Sequence, residues 1–239
     1  MLTDSEIDWL KTHYSTLKPN NDRTELKGVI SFTGTYNSDL NNFIVLSDGN
    51  ENKIGGIVLQ GSYKIAIKER KKDDPTGLKL PGLYLEEGQI VFSPERHFNV
   101  IDKSACFCGP IEEELYLEEG FQIQTFLQNL IIPFLYEQLY YDTYDKRWPW
   151  GEYGHGTTGV LESYFKTVDL RFIESSLYRL KRDGKLWPYV RRMLLSKEYV
   201  KGHINCFCES GDFIRRCHPE AWKGINKLRK DILELAIVI

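Results

Sequence analysis

The sequence predicts an α+β protein, in which an N-terminal helix packs on a four-stranded antiparallel meander and a helical region follows. Three observations predict it. An amphipathic helical pattern opens the chain, four short strand-like stretches follow within residues 26–68, and helical periodicity dominates from residue 121 onwards. We place a domain boundary after residue 158, so that residues 1–158 hold the sheet and residues 159–239 form a helical extension.

The composition fits a globular chain with a sizeable core. The 239 residues are 41% hydrophobic and 13% aromatic, with a formal net charge of −3. A charge this small gives no argument for nucleic acid as the main partner. No apolar run approaches the about 20 residues that span a bilayer, and the acidic start has no signal-peptide core. Five cysteines in two tight clusters are atypical of a disulfide framework, so we expect a cytoplasmic protein without a membrane anchor.

The N-terminal half predicts one helix and four strands. Thr3 and Glu6 have capping-box spacing, and apolar residues recur at helical period up to Leu17, which predicts a helix from Thr3 to Leu17. Alternating apolar residues predict an antiparallel meander with Gly28 and Gly34 at bulges, a turn at residues 47–50, and a solvated charged loop at residues 69–76. The predicted strands are Leu26–Tyr36, Phe43–Leu46, Ile54–Leu59 and Tyr63–Lys68.

Helices are predicted for most of the second half. Residues 121–141 have a broad apolar face, which Pro133 is expected to kink or to divide. The aromatic residues from Phe134 to Tyr144 are expected to belong to the core. Residues 159–182 are predicted to form a single amphipathic helix, and a short helix at Trp187–Leu195 and a final helix follow.

A polar loop between the sheet and the helices contains candidate catalytic residues. The triplet His97-Phe98-Asn99 stands shortly before Cys106, and Cys108 follows. A thiolate can attack an activated carbonyl, and an amide side chain can donate a hydrogen bond to the resulting oxyanion. Alternatively, both cysteines simply fill a core, as reduced cysteines often do. The sequence leaves open which of the two is the nucleophile.

His155 is a second candidate, in the glycine-rich loop at residues 147–159. A lone loop histidine is commonly structural or merely exposed. In the alternative, Glu152 and His155 fold over the Cys106 loop, where His155 acts as a base or orients an incoming amine.

The most specific pattern is a metal-binding one near the C-terminus. Cys206 and Cys208 are followed, after eight intervening residues, by Cys217 and His218. Four such ligands on two tight turns predict a tetrahedral structural Zn²⁺ site, with His203 as a rival ligand. The metal would supply much of the folding energy of so small a unit. The spacing resembles the SEC-C motif, a zinc knuckle attached to many bacterial proteins, although Glu209 replaces its usual glycine.

Basic residues surround this pattern. They either form a solvated face or dock on an acidic protein or RNA. They are Arg215, Arg216, Lys223, Lys227 and Lys230.

The order of elements over residues 3–142 resembles the ubiquitin-conjugating enzymes. The strand at residues 63–69, Pro81, the His97-x-Asn99 triplet and Cys106 follow one another as in that family. The chain departs from the family pattern in three ways. Phe98 replaces the triplet proline, the gap from Asn99 to Cys106 is one residue shorter, and the aspartate usual after the cysteine is missing. The resemblance is therefore to a divergent, bacterial branch.

The resemblance implies a catalytic cycle and its partners. Cys106 would receive a ubiquitin-like modifier as a thioester from a ubiquitin-activating-type enzyme and pass it to an amine of an acceptor protein. Asn99 would donate to the oxyanion or hold the loop, and His97 would anchor that loop. The glutamates at residues 112–114 would orient the acceptor amine or form solvated surface. Relatives of this kind often accompany genes for a modifier and its activating enzyme, some of them in antiphage defence.

Two other functions remain open at the level of sequence. A catalytically inactive conjugating-like adaptor is favoured by the lost proline and the shortened gap. A zinc-bearing nucleic-acid-binding protein, with a structural Cys106 loop, is disfavoured by the near-neutral charge.

Overall fold

The computed structural model describes most of the chain as two compact units. The described residues are 2–46, 55–74, 77–144, 146–150, 154–167 and 169–239. The first unit comprises residues 1–108 and 116–151, and the second comprises residues 109–115 and 152–239. The boundary predicted after residue 158 falls inside a helix, Gly156–Lys166, and the division into separate domains stays a prediction.

The N-terminal helix of the first unit, α1, covers Asp4–His13 and has the predicted capping box. The Glu6 N–H donates to Thr3 Oγ1 at 3.3 Å, and the Thr3 N–H donates to Glu6 Oε2 at 2.8 Å. The helix is shorter than predicted, because Tyr14 leaves the helical conformation and its N–H closes the last turn on Leu10. Leu17 is still buried, but beyond the helix.

Among its described residues, the first unit contains a five-stranded antiparallel sheet. The central pair is β2–β4, which runs in continuous register from Glu25↔Lys68 to Tyr36↔Ile57. β1 and β3 pair with the two ends of β2, and β5 pairs with the end of β4. The strands are β1 Lys18–Pro19, β2 Glu25–Asn37, β3 Asn42–Leu46, β4 Ile57–Lys68 and β5 Gly82–Leu85.

The predicted four-stranded meander is therefore wrong in its connectivity, although the strand positions are largely right. The third and fourth predicted strands are one strand, β4, which pairs with β2 and not with β3. Gly61 lies within this ladder opposite Phe32, and glycine fits there because a Cβ would stand 2.7 Å from the Phe32 ring. Gly28 and Gly34 hold regular register, so the predicted bulges are absent at those positions. The turn predicted at residues 47–50 lies outside the described residues.

Helical segments follow the sheet. α2 covers Pro110–Glu118, and its residues up to 115 belong to the second unit. In the first unit, α3 covers Ile123–Phe126 and α4 covers Ile132–Thr143. A π-helical segment, Leu127–Ile131, joins α3 to α4 directly before Pro133. Proline cannot donate to the helical ladder, and a π turn accommodates such a residue without ending the helix. The helix therefore continues through Pro133. The wider π-helical turn before it accommodates the missing N–H donor of the proline.

The core position predicted for the aromatic residues from Phe134 to Tyr144 is confirmed for those in the first half of α4 but not for Tyr144, which is 38% exposed. Phe134 and Tyr136 are buried, and the Tyr136 hydroxyl donates to the Ile57 carbonyl at 2.6 Å. Phe43 and Trp150 lie against the Tyr136 ring, with centroids 4.9 and 5.9 Å away. The hydrogen bond ties the buried Tyr136 side chain to the first residue of β4.

Besides residues 110–115 of α2, the second unit contains five helices among its described residues. The single helix predicted at residues 159–182 is in fact two, separated by a 3₁₀ turn at Leu170–Phe172. The chain breaks there because Asp169 accepts the Arg171 N–H at 2.9 Å and so caps the turn. Gly224 allows the first and last helices to pack closely, since a Cβ there would lie 1.9 Å from the Leu161 carbonyl. The helices are α5 Gly156–Lys166, α6 Ile173–Arg182, α7 Trp187–Leu195, α8 Ile214–Cys217 and α9 Pro219–Glu234.

Replacing Gly28 with alanine is expected to destabilise the first unit strongly. A Cβ at this position would stand 2.0 Å from the Thr16 carbonyl oxygen, which is backbone and cannot move cheaply. We expect a loss of more than about 2 kcal/mol in the free energy of unfolding, measured by urea denaturation. Gly184→Ala is the matched control, since nothing lies within 4 Å of its Cβ position. Equal midpoints for the two variants would contradict this packing.

Candidate functional site

The structure brings the four predicted metal ligands together in the second unit. The ligand atoms of Cys206, Cys208, Cys217 and His218 all lie within 4.8 Å of one another, and we call this group the cysteine cluster. Cys206 Sγ is 3.1 Å from His218 Nδ1, and Cys208 Sγ is 3.4 Å from Cys217 Sγ. His203 is not part of the cluster. The predicted choice of ligands matches this geometry.

Two tight backbone turns position these ligands. The Cys206 N–H donates to the Asp212 carbonyl at 2.8 Å, and Asn205 and Phe213 form an antiparallel bridge. Glu209 has φ +62°, and Gly211 has φ +82°. Glycine adopts this left-handed conformation without penalty, whereas the side chain of Glu209 costs on the order of 1 kcal/mol there. Helix α8 then carries Cys217, and His218 directly precedes α9.

The thiols of the cluster have unlike electrostatic environments. Burial raises the pKa of Cys206 to about 12. Burial acts in the same direction on Cys208, but hydrogen bonds from the side chain and backbone of Ser210 outweigh it and lower its pKa to about 6. Crowded thiols resist ionising together in the absence of a counter-charge. A cation at the centre would supply that charge.

The donor set and its spacing fit a tetrahedral metal ion. Zn–S bonds of about 2.3 Å and Zn–N bonds of about 2.0 Å place tetrahedral ligand atoms roughly 3.4–3.8 Å apart. The closest donor pairs, at 3.1 and 3.4 Å, are near those separations. These four side chains could therefore hold a metal ion with little movement.

The first unit contains the second candidate site. Residues 97–106 form a hairpin, called the thiol hairpin below, in which Phe98 and Ala105 make an antiparallel bridge. The Cys106 N–H donates to the His97 carbonyl at 2.7 Å, and the Asn99 N–H donates to the Ser104 carbonyl at 2.8 Å. The His-x-Asn triplet and Cys106 therefore lie on two paired segments.

Strained and buried residues mark the start of this hairpin. His97 is buried with φ +56°, a left-handed conformation that is uncommon without glycine, and its ring lies edge-on to Trp148. The preceding Arg96 donates to Gln138 Oε1 at 2.8 Å and to both carboxylate oxygens of Asp142 at 2.8 and 3.0 Å. The hairpin is thus fastened to α4.

A buried hydrogen-bond network holds Asn99. Its Nδ2 donates to Ser104 Oγ at 3.0 Å. Ser104 Oγ donates to Asp102 Oδ1 at 2.8 Å and accepts from Arg70 Nη2 at 2.7 Å. Arg70 Nη1 and the Tyr84 hydroxyl donate to Asp102 Oδ2 at 2.8 and 3.1 Å. In this arrangement the Asn99 amide group holds the loop.

The solvated loop predicted at residues 69–76 is confirmed at Glu69 and at residues 71–73, which are exposed, but not at Arg70. The Arg70 side chain is only 3% exposed, and its Nε donates to the Leu80 carbonyl at 3.1 Å. Partial burial acts to raise the pKa of Asp102, but hydrogen bonds from the Ser104 N–H and Arg70 outweigh it and hold that pKa below its usual value. Residues 75 and 76 lie outside the described residues.

The two thiols of the hairpin region differ in their packing. Both are half-buried, and none of the five cysteines is disulfide-bonded. Cys108 packs against the apolar core of the first unit, as does Phe107, whose ring centroid is 5.5 Å from that of Phe126. Cys106 is not among the side chains packed on that core.

His155 and the glutamates at residues 112–114 belong to the second unit. His155 directly precedes α5, its carbonyl accepts the Thr158 hydroxyl at 2.6 Å, and its role as a base stays a prediction. Glu152 lies outside the described residues. The glutamates are not solvated surface. Glu113 is 2% exposed and 3.4 Å from Arg179, which also contacts Glu114, and Glu112 accepts the Ser163 hydroxyl.

Sequence reasoning missed the residues that support the thiol hairpin. Asp102 and Ser104 have the spacing of an Asx turn, in which an aspartate side chain accepts the N–H two residues later, and this bond is 3.0 Å long. That spacing could have identified the turn. Arg70 gives no comparable signal, because it stands within a charged run.

The cysteine cluster is expected to bind one metal ion per chain. Cys217→Ser should lose the metal and destabilise the turns at residues 205–218, because a segment this short depends on its metal for local stability. Cys108→Ser is the matched control and should retain the metal. Plasma mass spectrometry of the purified proteins gives the stoichiometry and the element, and circular dichroism reports folding. Equal metal content in the two variants would contradict the site.

Asp102→Asn is expected to destabilise the first unit in a pH-dependent way. Its lowered pKa means that the carboxylate stabilises the fold above the unfolded-state pKa of about 3.9, and that this contribution is lost as pH falls through the folded-state pKa. At pH 7 we expect a loss of about 1–3 kcal/mol. The difference from the wild type should shrink at pH 4 and below, as measured by urea unfolding. Asp8→Asn, at an exposed ion pair, is the control and should leave the free energy of unfolding unchanged at both pH values.

Comparison with known proteins identifies no family for this chain, so its function is inferred from the two candidate sites. Protein-family models, curated proteins and solved structures give no match for this chain. Among the described residues, the helices are too short or too polar to cross a membrane.

Proposed function

We propose that this protein is a conjugating enzyme, which carries a ubiquitin-like modifier as a thioester on Cys106 and passes it to an amine. The observation that carries the proposal is the thiol hairpin, in which the Cys106 N–H donates to the His97 carbonyl at 2.7 Å. This pairing sets a half-buried thiol beside a His-x-Asn triplet, the arrangement that the sequence resemblance leads us to expect.

The proposed chemistry is two acyl transfers. The Cys106 thiol loses its proton to solvent or a nearby base, and the thiolate attacks the thioester carbonyl of the modifier on an activating-type enzyme. The thiolate of that enzyme leaves and takes up a proton. A lysine amine of the acceptor then attacks the Cys106 thioester, loses a proton and forms an amide, and the Cys106 thiolate departs. Sulfur is nucleophilic enough for the first step near neutral pH, although a free thiol has a pKa of about 8.5.

Asn99 and His97 act in this proposal mainly by shaping the hairpin. The Asn99 amide group donates to Ser104 Oγ, so it frames the site before any oxyanion forms. The left-handed backbone of His97 changes the direction of the chain after the turn at Pro94–Arg96, so that the following residue, Phe98, can pair with Ala105 beside Cys106. His155 is proposed as a base or an orienting residue for the amine.

We propose that the metal of the cysteine cluster is a structural Zn²⁺. Three thiolates and one imidazole are a preferred zinc donor set, and four protein ligands leave no open position for catalysis. When bound, the ion would neutralise the thiolates and join the two turns to the start of α9. It would leave Cys106 and Cys108 outside the metal site.

Thioester formation tests the proposed nucleophile. The full chain, incubated with ubiquitin that carries a C-terminal mercaptoethanesulfonate thioester, should gain the mass of one modifier on a non-reducing gel and lose it in dithiothreitol. Cys106→Ala should abolish this adduct because the attacking sulfur is gone. Cys108→Ala is the matched control and should keep most of it.

Each other outcome has a definite meaning. An adduct that survives Cys106→Ala but not Cys108→Ala would show that the nucleophile is wrong. The absence of an adduct in every protein would favour a catalytically inactive adaptor. One observation favours the inactive adaptor as the second candidate function. The Asn99 amide group already donates to Ser104, so it is not available to donate to an oxyanion.

A further inference from the structure

The net charge of the chain is unevenly distributed. Residues 159–239 contain 16 lysines and arginines against 10 aspartates and glutamates, whereas residues 1–158 contain 15 against 24. The overall charge of −3 therefore conceals a basic C-terminal region. A surface that binds a polyanion would be found there.

Two short segments beside the cysteine cluster pair with each other. The Ile214 N–H donates to the Ile204 carbonyl at 2.9 Å, and the Arg215 N–H donates to the Gly202 carbonyl at 3.1 Å. Ile214 is buried in the core of the second unit, whereas Phe213 and Arg215 on either side of it are exposed. The exposed residues of the two segments are Lys201, His203, Asn205, Phe213, Arg215 and Arg216.

Aromatic rings stand among these cations. Phe213 is 40% exposed, and its ring centroid is 6.4 Å from that of His203. Tyr199 is 55% exposed, and its ring lies edge-on to Trp222 at 5.9 Å. Arg215 and Trp222 both pack over the buried Gly202, where a Cβ would lie 2.8 Å from Arg215 Cβ and 3.2 Å from Trp222 Cε2. We call this surface, formed by Tyr199, Lys201, His203, Phe213, Arg215 and Arg216, the basic-aromatic face.

The cations of this face are not neutralised within the described structure. Lys201, Arg215 and Arg216 form no ion pair with a described residue, whereas the nearby Lys185 is paired with Glu209. Glu198 and Asp212 are exposed acids of the same stretch, so the excess of positive charge is modest. A ligand that is held by rings as well as by charge fits this balance better than one that is held by charge alone.

We propose that the basic-aromatic face binds single-stranded nucleic acid. The cations would contact phosphates, and unpaired bases would stack on Tyr199 and Phe213. Single-strand-binding surfaces combine these two elements, since every base has a π-face and the backbone is anionic. Duplex bases are already stacked on one another and are not available to stack on exposed rings. An acidic protein would be held by the cations and would not require the rings. This binding is independent of the proposed acyl transfer.

The contribution of the cations is tested by salt dependence. Fluorescence anisotropy with labelled U20 and dT20 should show binding by the full, metal-loaded chain that weakens as salt rises. The double substitution Arg215→Gln/Arg216→Gln should weaken binding and reduce the slope of log K against log salt by about 1.4, or about 0.7 for each lost contact. Lys64→Gln, at an ion pair in the first unit, is the control and should leave the slope unchanged.

The contribution of the rings is tested separately. Tyr199→Leu should weaken binding on the order of tenfold at unchanged salt slope, and Tyr199→Phe should restore it, because stacking needs the ring and not the hydroxyl. Metal content and circular dichroism confirm that each variant is folded. U20 and dT20 separate RNA from DNA as the preferred ligand.

Three results would overturn the proposal. The first is no binding of either oligonucleotide at low salt. The second is equal or tighter binding of a 20-base-pair duplex. The third is competition by polyglutamate as effective as that by U20, with no effect of Tyr199→Leu, which would indicate an acidic-protein surface.

Discussion

The thiol hairpin depends on one ion pair, between the Arg70 guanidinium and the Asp102 carboxylate. Their atoms are 2.8 Å apart, and the arginine side chain is almost completely buried. The same arginine reaches Ser104, and Ser104 accepts from Asn99, so a charge at the end of β4 fixes an amide group at the candidate site. Removing either partner would leave the other charged and buried, which is costlier than the pair itself is stabilising.

The two candidate sites are built in different ways. The thiol hairpin is held by buried hydrogen bonds, by the core contact of Phe107 and by the clamp of Arg96 on α4. The cysteine cluster lies on turns whose residues 208–213 are exposed, and two of its positions have a left-handed backbone. Backbone hydrogen bonds bring its four ligand side chains together, and a bound metal ion would add a direct link between them.

The sequence predicted whatever local chemistry determines. The capping box of Thr3, the helix at Trp187–Leu195 and the four ligands of the cysteine cluster all depend on residues close in sequence. It failed where distant contacts decide. Gly61 lies inside a strand because β4 pairs with β2 on both sides of it, and Arg70 is buried because a hairpin some 30 residues later supplies its partners. Neither partner can be recognised from the local pattern.

The strand lengths of the sheet have a further consequence, for solubility. The two long strands lie in the middle, while β1, β3 and β5 are 2, 5 and 4 residues long. Where these short strands leave an edge open, the Thr16 hydroxyl donates to the Val29 carbonyl, and Gln89 exchanges hydrogen bonds with the Lys64 backbone at 2.7 and 2.8 Å. Edges that are short and occupied in this way give a second molecule little backbone on which to add a strand, and so guard the protein against aggregation through its sheet.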